Sequence, residues 1–500
     1  MTTQKESLIF YLFYKMKREE KELEIKKGSD VKTSVFVQRS EQILPIFVQR
    51  PEQISHFWLL SKQIVVPLPK NIAKMKYNTY TLDNGLRIIH LPSDSKVVYC
   101  GYQINAGTRD EEPGEEGLAH FCEHVTFKGT ERRKAWHILN CLESVGGDLN
   151  AYTNKEGTVY YAAILKEHIA RAVDLLSDIV FHSTYPQQEI DKEVEVICDE
   201  IESYNDSPAE LIYDEFENIL FNGISLGHNI LGTAEQVRQF TTADALRFTR
   251  KLYRPDNAVF FAYGDIDFKK LVTLLKKSVG SEEIRVKNEE FNCCEEQRTK
   301  SKGSEERRVK SEESNSPKGQ TIVMEKHTHQ AHVMIGTRAY DVHDDRRMPL
   351  YLLNNILGGP GMNAKLNLAL REHNGLVYTV ESTMVAYGDT GTWSIYFGCD
   401  EHDVKRCLRL VRKELDRFME KPLSDAQLRA AKKQIKGQIG VACDNRENFA
   451  LDFGKSFLHY GWEKNVDRLY EQVDAITAQQ IQAVAQELFD ENRLTTLIFK

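Results

Sequence analysis

Five residues, His120-Phe121-Cys122-Glu123-His124, restrict this 500-residue chain more than any other stretch. Residues three and four apart on a helix share a face, so His120, Glu123 and His124 point the same way. Two imidazoles at i and i+4 can hold one zinc ion, while Cys122, roughly 200° round the helix from His120, faces away. The competing reading is a solvated helix that happens to carry two histidines. Catalytic zinc usually takes three protein ligands and leaves a position for water, so an acid on another element should complete the set. Glu200 is well placed for that role in the charged, helix-periodic segment 189–201. Glu193 lies seven residues before it, two helical turns away, and shares its face. The fold therefore has to lay this acidic helix beside the histidine helix.

The rest of the chain alternates strand and helix signals. Tyr80-Thr81-Leu82 and Leu86–Leu91 flank Asp83-Asn84-Gly85, a hairpin turn signal, and Val97–Ile104 reads as another strand. Gly107–Gly117 is an acidic loop leading into the histidine helix. Strands follow around 150–153 and 158–164, and helical periodicity covers 168–180 and 188–203. An α+β layer, a sheet packed on one side by helices, is the simplest solution. The second half then echoes the first. Thr392–Tyr396 followed by 402–418 matches Thr158–Tyr161 followed by 168–180, and 425–440 matches 188–203 with Leu428 in the place of Ile190. Glu193 then falls on Ala431, Glu200 on Gln438, and the histidine helix on Leu350–Leu357, which has no histidine. The expectation is two homologous halves, each a mostly antiparallel sheet packed with helices, of which one binds metal.

H-x-x-E-H is the inverted form of the H-E-x-x-H zinc-peptidase pattern. With it stand TLDNGLRIIHLP at 81–92, GTRDEEPGEEGLAHFCEHVTFKGT at 107–130 and GGDLNAYTNKEGTVYY at 146–161. EVEVICDEI at 193–201 and GGPGMNAKLNLALREHNGLVYTVES at 358–382 complete the set. From about Met75 to Lys500 the chain resembles the pitrilysin/insulinase family of zinc peptidases. Its shorter branch, which includes mitochondrial processing peptidase and bacterial processing proteases, is the nearer likeness.

The resemblance implies that His120, His124 and Glu200 are the ligands of one zinc ion per chain and that Glu193 orients a ligand histidine; an exposed helix acid is the other reading of Glu193. Glu123, between the histidines on the inner face, is the candidate general base. The resemblance also implies that Arg371 and Tyr378 of the blank half reach the substrate backbone, where a cation and a phenol suit a developing oxyanion. A surface ion pair and a packed ring are their alternatives. Asn150-Ala151 resembles the family's edge strand, which takes a peptide by strand addition. An active zinc endopeptidase follows, with a non-catalytic peptide-binding or structural partner subunit as the alternative. Two similar halves closing with a second chain, as a homodimer or a heterodimer with a homologous chain, would admit only short or unfolded peptides.

Composition narrows the remaining classes. A net charge of −8 gives no reason to expect a nucleic-acid partner. No apolar run approaches the roughly 18 residues of a membrane span. Nine cysteines, scattered except for Cys293-Cys294, make no disulfide framework and point to a reducing cytoplasm, which we expect to be bacterial although cysteine usage does not separate it from an organelle matrix. His327, His329 and His332 have no acid or cysteine to complete a second metal set, and His182 and His228 read as structural or exposed. Residues 1–74, with an eleven-residue echo at Phe36–Ile43 and Phe47–Ile54, read as a poorly ordered extension, or a misplaced start before Met75; a membrane-surface helix at 7–24 is the alternative. Residues 75–280 form the zinc-binding half and 281–318 a charged linker whose Cys293-Cys294 pair reads as incidental thiols. Residues 319–500 form the second half.

Overall fold

The computed structural model describes residues 76–280 and 319–500, so the expectations for the N-terminal extension and the linker lie outside the described residues. In the first half, β1 (Asn78–Thr81), β2 (Arg87–Pro92) and β3 (Val97–Ile104) precede helices α1 (Leu118–Thr126) and α2 (Ala135–Glu143). Next come β4 (Asp148–Thr153), β5 (Thr158–Leu165), α3 (Ile169–His182), α4 (Gln187–Asn205) and α5 (Pro208–Leu220). The half closes with α6 (Thr242–Leu252), β6 (Ala258–Gly264) and α7 (Phe268–Val279).

The second half runs β7 (Thr321–Met324), β8 (Ala331–Ala339), α8 (Arg347–Gly358), β9 (Val377–Ala386) and β10 (Gly391–Cys399). Five helices follow, α9 (Val404–Glu420), α10 (Asp425–Cys443), α11 (Arg446–Tyr460), α12 (Val466–Ala475) and α13 (Ala478–Leu488), before β11 (Thr495–Phe499). No helix among the described residues is long and apolar enough to cross a membrane.

The duplication is explicit in the strand order, β1-β2-β6-β3-β5-β4 in one sheet and β7-β11-β8-β10-β9 in the other. With β1 set aside, each strand has its counterpart. In both sheets one parallel pair, β2 with β6 or β7 with β11, precedes an antiparallel run. Helices α4 and α10 are each 19 residues long and begin at the same offset that aligns Ile190 with Leu428. Helix α8 follows β8 as α1 follows β3, and it carries leucines where α1 carries histidines.

Both sheets are covered on both faces, where the sequence led us to expect helices on one. Alternate residues of β3 and β5, including Val98, Cys100, Tyr102, Tyr160 and Ala162, join α1, α3 and α4 in one core. The opposite face, with Val159, Tyr161, Val259 and Phe261, packs against Phe449, Ala450 and Phe453 of α11 from the second half. The exchange is reciprocal. Helix α5 of the first half sets Leu211, Ile212, Phe216 and Leu220 against Met334, Tyr396, Leu497 and Phe499 of the second sheet. Near-continuous apolar runs such as Thr158–Leu165 are what a strand buried on both faces requires.

Candidate metal centre

Helix α1 begins at Gly117, whose φ of +96° puts it in the left-handed region. A Cβ there would stand 2.6 Å from the carbonyl oxygen of Leu231, so only glycine fits. Glycine offers no side chain to cap the helix, and Glu111 supplies one from outside. Its carboxylate accepts from the amides of Gly117 at 3.1 Å and Ala119 at 2.7 Å, and His228 Nε2 lies 2.9 Å from Oε2. A buried negative charge at a helix N-terminus satisfies its unpaired donors and complements its dipole. Sequence reasoning missed Glu111 and left His228 without a function. The available signal was a helix entry that had no Ser, Thr, Asp or Asn at the cap.

The helix then presents His120 and His124 with ring centroids 4.6 Å apart. Helix α4 brings Glu200 to them, and the ligand atoms of the three residues all lie within 4.8 Å of one another. His124 Nε2 is 3.2 Å from Glu200 Oε2, and His120 Nε2 is 3.8 Å from Glu200 Oε1. On its other side His124 Nδ1 lies 3.1 Å from Glu193 Oε1, two helical turns before Glu200 on the same face of α4. Lys128 closes an ion pair with the second oxygen of Glu193. A carboxylate at Nδ1 favours a proton there and orients the ring so that Nε2 faces Glu200.

The electrostatics fit a cation. Burial, together with the nearby His124, pushes His120 down to about 4. Burial opposes charge on His124 as well, but the carboxylates of Glu193 and Glu200 outweigh it and push the ring up to about 10. Glu200 is held down at about 2, because its contacts with the histidines overcome its own burial. The cluster is thus built to stabilise one positive charge among four groups. Two imidazoles and a carboxylate are also the donor set of catalytic zinc sites.

Glu123 lies inside the helix face, pushed up to about 7 by burial, with His124 and the Thr153 hydroxyl pulling the other way. Thr153 donates to Glu123 Oε2 at 2.6 Å. A cation alongside would favour the ionised carboxylate further. Thr153 ends β4, an edge strand of its sheet, on which Asn150 and Ala151 pair with Tyr161 and Tyr160 of β5. The other edge of β4 has no strand partner among the described residues.

Arg371 and Tyr378 are brought to one another. Arg371 lies in the helical turn Asn367–Glu372, Tyr378 lies near the start of β9, and the guanidinium is 5.4 Å from the ring centroid. Tyr378 is 81% exposed, and no hydrogen bond or ion pair among the described residues joins either side chain to the His–Glu cluster. Elsewhere, His332 Nδ1 meets the Tyr396 hydroxyl at 2.9 Å, a packing contact. Cys122 is buried in the core, away from the cluster.

Residues 88–234 match the profile of the Insulinase (Peptidase family M16) family, and residues 239–435 that of the Peptidase M16 inactive domain. A Bacillus subtilis protein named an uncharacterized zinc protease is 31% identical over 423 residues, covering 84% of this chain and 97% of the relative. The beta subunit of the mitochondrial-processing peptidase of Saccharomyces cerevisiae is 29% identical over 423 residues, 81% of this chain and 86% of that one. Among solved structures, a protease from Helicobacter pylori shares the fold with a TM-score of 0.75 at 20% identity, over 85% of this chain and all of that one.

Proposed function

The chain belongs to the insulinase family of peptidases, M16, and from that premise we propose that it is a zinc-dependent endopeptidase acting on unfolded peptide segments. One observation carries the reading: the ligand atoms of His120, His124 and Glu200 converge within 4.8 Å beside the buried carboxylate of Glu123. These three residues would hold one zinc ion per chain. Bound there, zinc would lower the pKa of a water towards about 7 and polarise the scissile carbonyl.

The protein's own groups supply the rest. Glu193 fixes the His124 ring by accepting from Nδ1. Glu123 has Oε2 engaged by Thr153, so Oε1 is the atom that takes the water's proton and returns it to the departing amine. The open edge of β4 at Asn150 and Ala151 accepts an extended peptide through backbone hydrogen bonds, which select an unfolded segment rather than a sequence. Arg371 and Tyr378, stacked and solvent-facing, offer a cation and a phenol to the substrate backbone from the second half.

In this reading residues 75–280 carry the chemistry and 319–500 the facing substrate surface. The yeast relative is named as a peptidase subunit, which supports pairing with a second chain of like fold; we favour a homodimer over a heterodimer with a homologous partner. Bacterial relatives support a bacterial cytoplasmic location. The test is metal removal on a pool of unstructured peptides. Cleavage should vanish with a chelator and return with one zinc per chain. Chelator-resistant cleavage, or a zinc-loaded chain that cuts nothing, would overturn the proposal and favour a non-catalytic partner subunit.

A further inference from the structure

The turn between β4 and β5, residues 154–157, holds more buried charge than a surface hairpin needs. Lys155 and Glu156 are 3% and 7% exposed. Asn154 Oδ1 accepts from the amides of Glu156 and Gly157, which sets the turn's shape. The backbone carbonyls of Asn154 and Lys155 accept from the amides of Thr108 and Arg109, in the loop that leads into α1. Lys155 reaches across to the carbonyl of His228, the residue beside the Glu111 cap. The turn, the helix entry and the cap are therefore one hydrogen-bonded unit.

That unit is tied to the other half of the molecule. Glu156 Oε1 accepts from Arg109 Nη1 at 2.6 Å and from the amide of Gly388 at 3.0 Å, and Arg109 continues to Asp389 at 2.7 Å. Gly388 and Asp389 lie in the turn between β9 and β10, so the turns that follow the edge strands β4 and β9 meet through the Glu156 carboxylate. Thr153, the residue immediately before the latched turn, holds Glu123. Resting on the peptidase reading above, we propose that Glu156 is a positioning residue: its bridge from Arg109 to the second half's Gly388 fixes the Thr153 hydroxyl against Glu123. A helix and an outer strand separated by 30 residues hold the base in place only while the second half is docked. The blank half then acts on the chemistry as well as on the substrate.

The experiment is a double-mutant cycle on kcat and KM with an unstructured peptide, with zinc content measured for every variant. Thr153→Val removes the hydroxyl at nearly constant volume, and Glu156→Ala removes the bridge. A misplaced catalytic group of this kind costs between ~10-fold and ~100-fold in rate. Glu156→Ala should lose kcat in that range with zinc retained and KM within about twofold. The double variant should be no slower than Thr153→Val alone, because both act through the same contact. Losses that multiply, or an unchanged kcat in Glu156→Ala, would overturn the proposal. If Glu156→Ala does not fold, Glu156→Gln, which keeps the side chain's size but removes its charge against Arg109, carries the same cycle with the same criteria. The wild type measured alongside separates the two claims: a zinc-loaded wild type that cuts nothing removes the peptidase reading and the latch with it. A wild type that cuts, beside variants whose losses multiply, removes the latch alone.

Discussion

Two glutamates of one site illustrate what burial and partners do to a carboxyl group. Glu200, facing both imidazoles, is held down at about 2, and Glu123, facing a hydroxyl inside the helix face, is pushed up to about 7. The first is suited to hold a cation and the second to exchange a proton near neutrality. Glu193 acts through His124, so Glu193→Gln should weaken zinc binding by ~10-fold to ~100-fold, as outer-sphere carboxylates typically do. Competition against a chelator of known affinity checks this; an unchanged affinity would make Glu193 an incidental helix acid. The pentapeptide made His120, Glu123 and His124 legible because the helical period alone fixes their common face. Glu200 required a second helix with the same logic. Thr153 and Glu111 were not legible, since their roles arise from contacts that close over loops and not from any spacing within an element.

At the scale of elements, the exchange of α5 and α11 is the feature that joins the halves. Phe216 of α5 is 1% exposed against the second sheet. Phe216→Ala should destabilise the protein by about 3–5 kcal/mol, the usual cost of emptying a buried aromatic site. Chemical denaturation reads the loss, and a change under about 1 kcal/mol would mean that α5 is peripheral. Strand and helix signals gave both halves and their shared order, because 2.0 and 3.6 periodicities are local properties. Which sheet an amphipathic helix covers is decided by tertiary docking, so the covering of each second face could not be read. The uninterrupted apolar runs of β5 and β6 were its trace in the sequence.

For the whole molecule, the seam between the halves makes stability depend on pH. His459 of α11 is pushed down to about 4 by burial, with Lys455, Arg87 and Arg109 adding repulsion. The unfolded chain protonates this ring near 6.5 and the folded one only near 4. Its contribution is therefore complete above pH 6.5 and is lost as the pH falls towards 4, by up to about 3 kcal/mol at 1.36 kcal/mol per unit. His459→Gln should flatten that part of the stability curve. An identical slope in wild type and variant between pH 4 and 6.5 would show that the seam does not exclude the proton.

The most direct measurement of the central claim compares wild type with Glu123→Gln, both carrying one zinc per chain, on the same unstructured peptides. Gln keeps the shape and an acceptor for Thr153 but cannot take a proton. The account predicts that zinc content is unchanged and that cleavage falls by at least ~100-fold, the scale of a lost general base. Zinc-loaded Glu123→Gln cleaving as fast as wild type would contradict it.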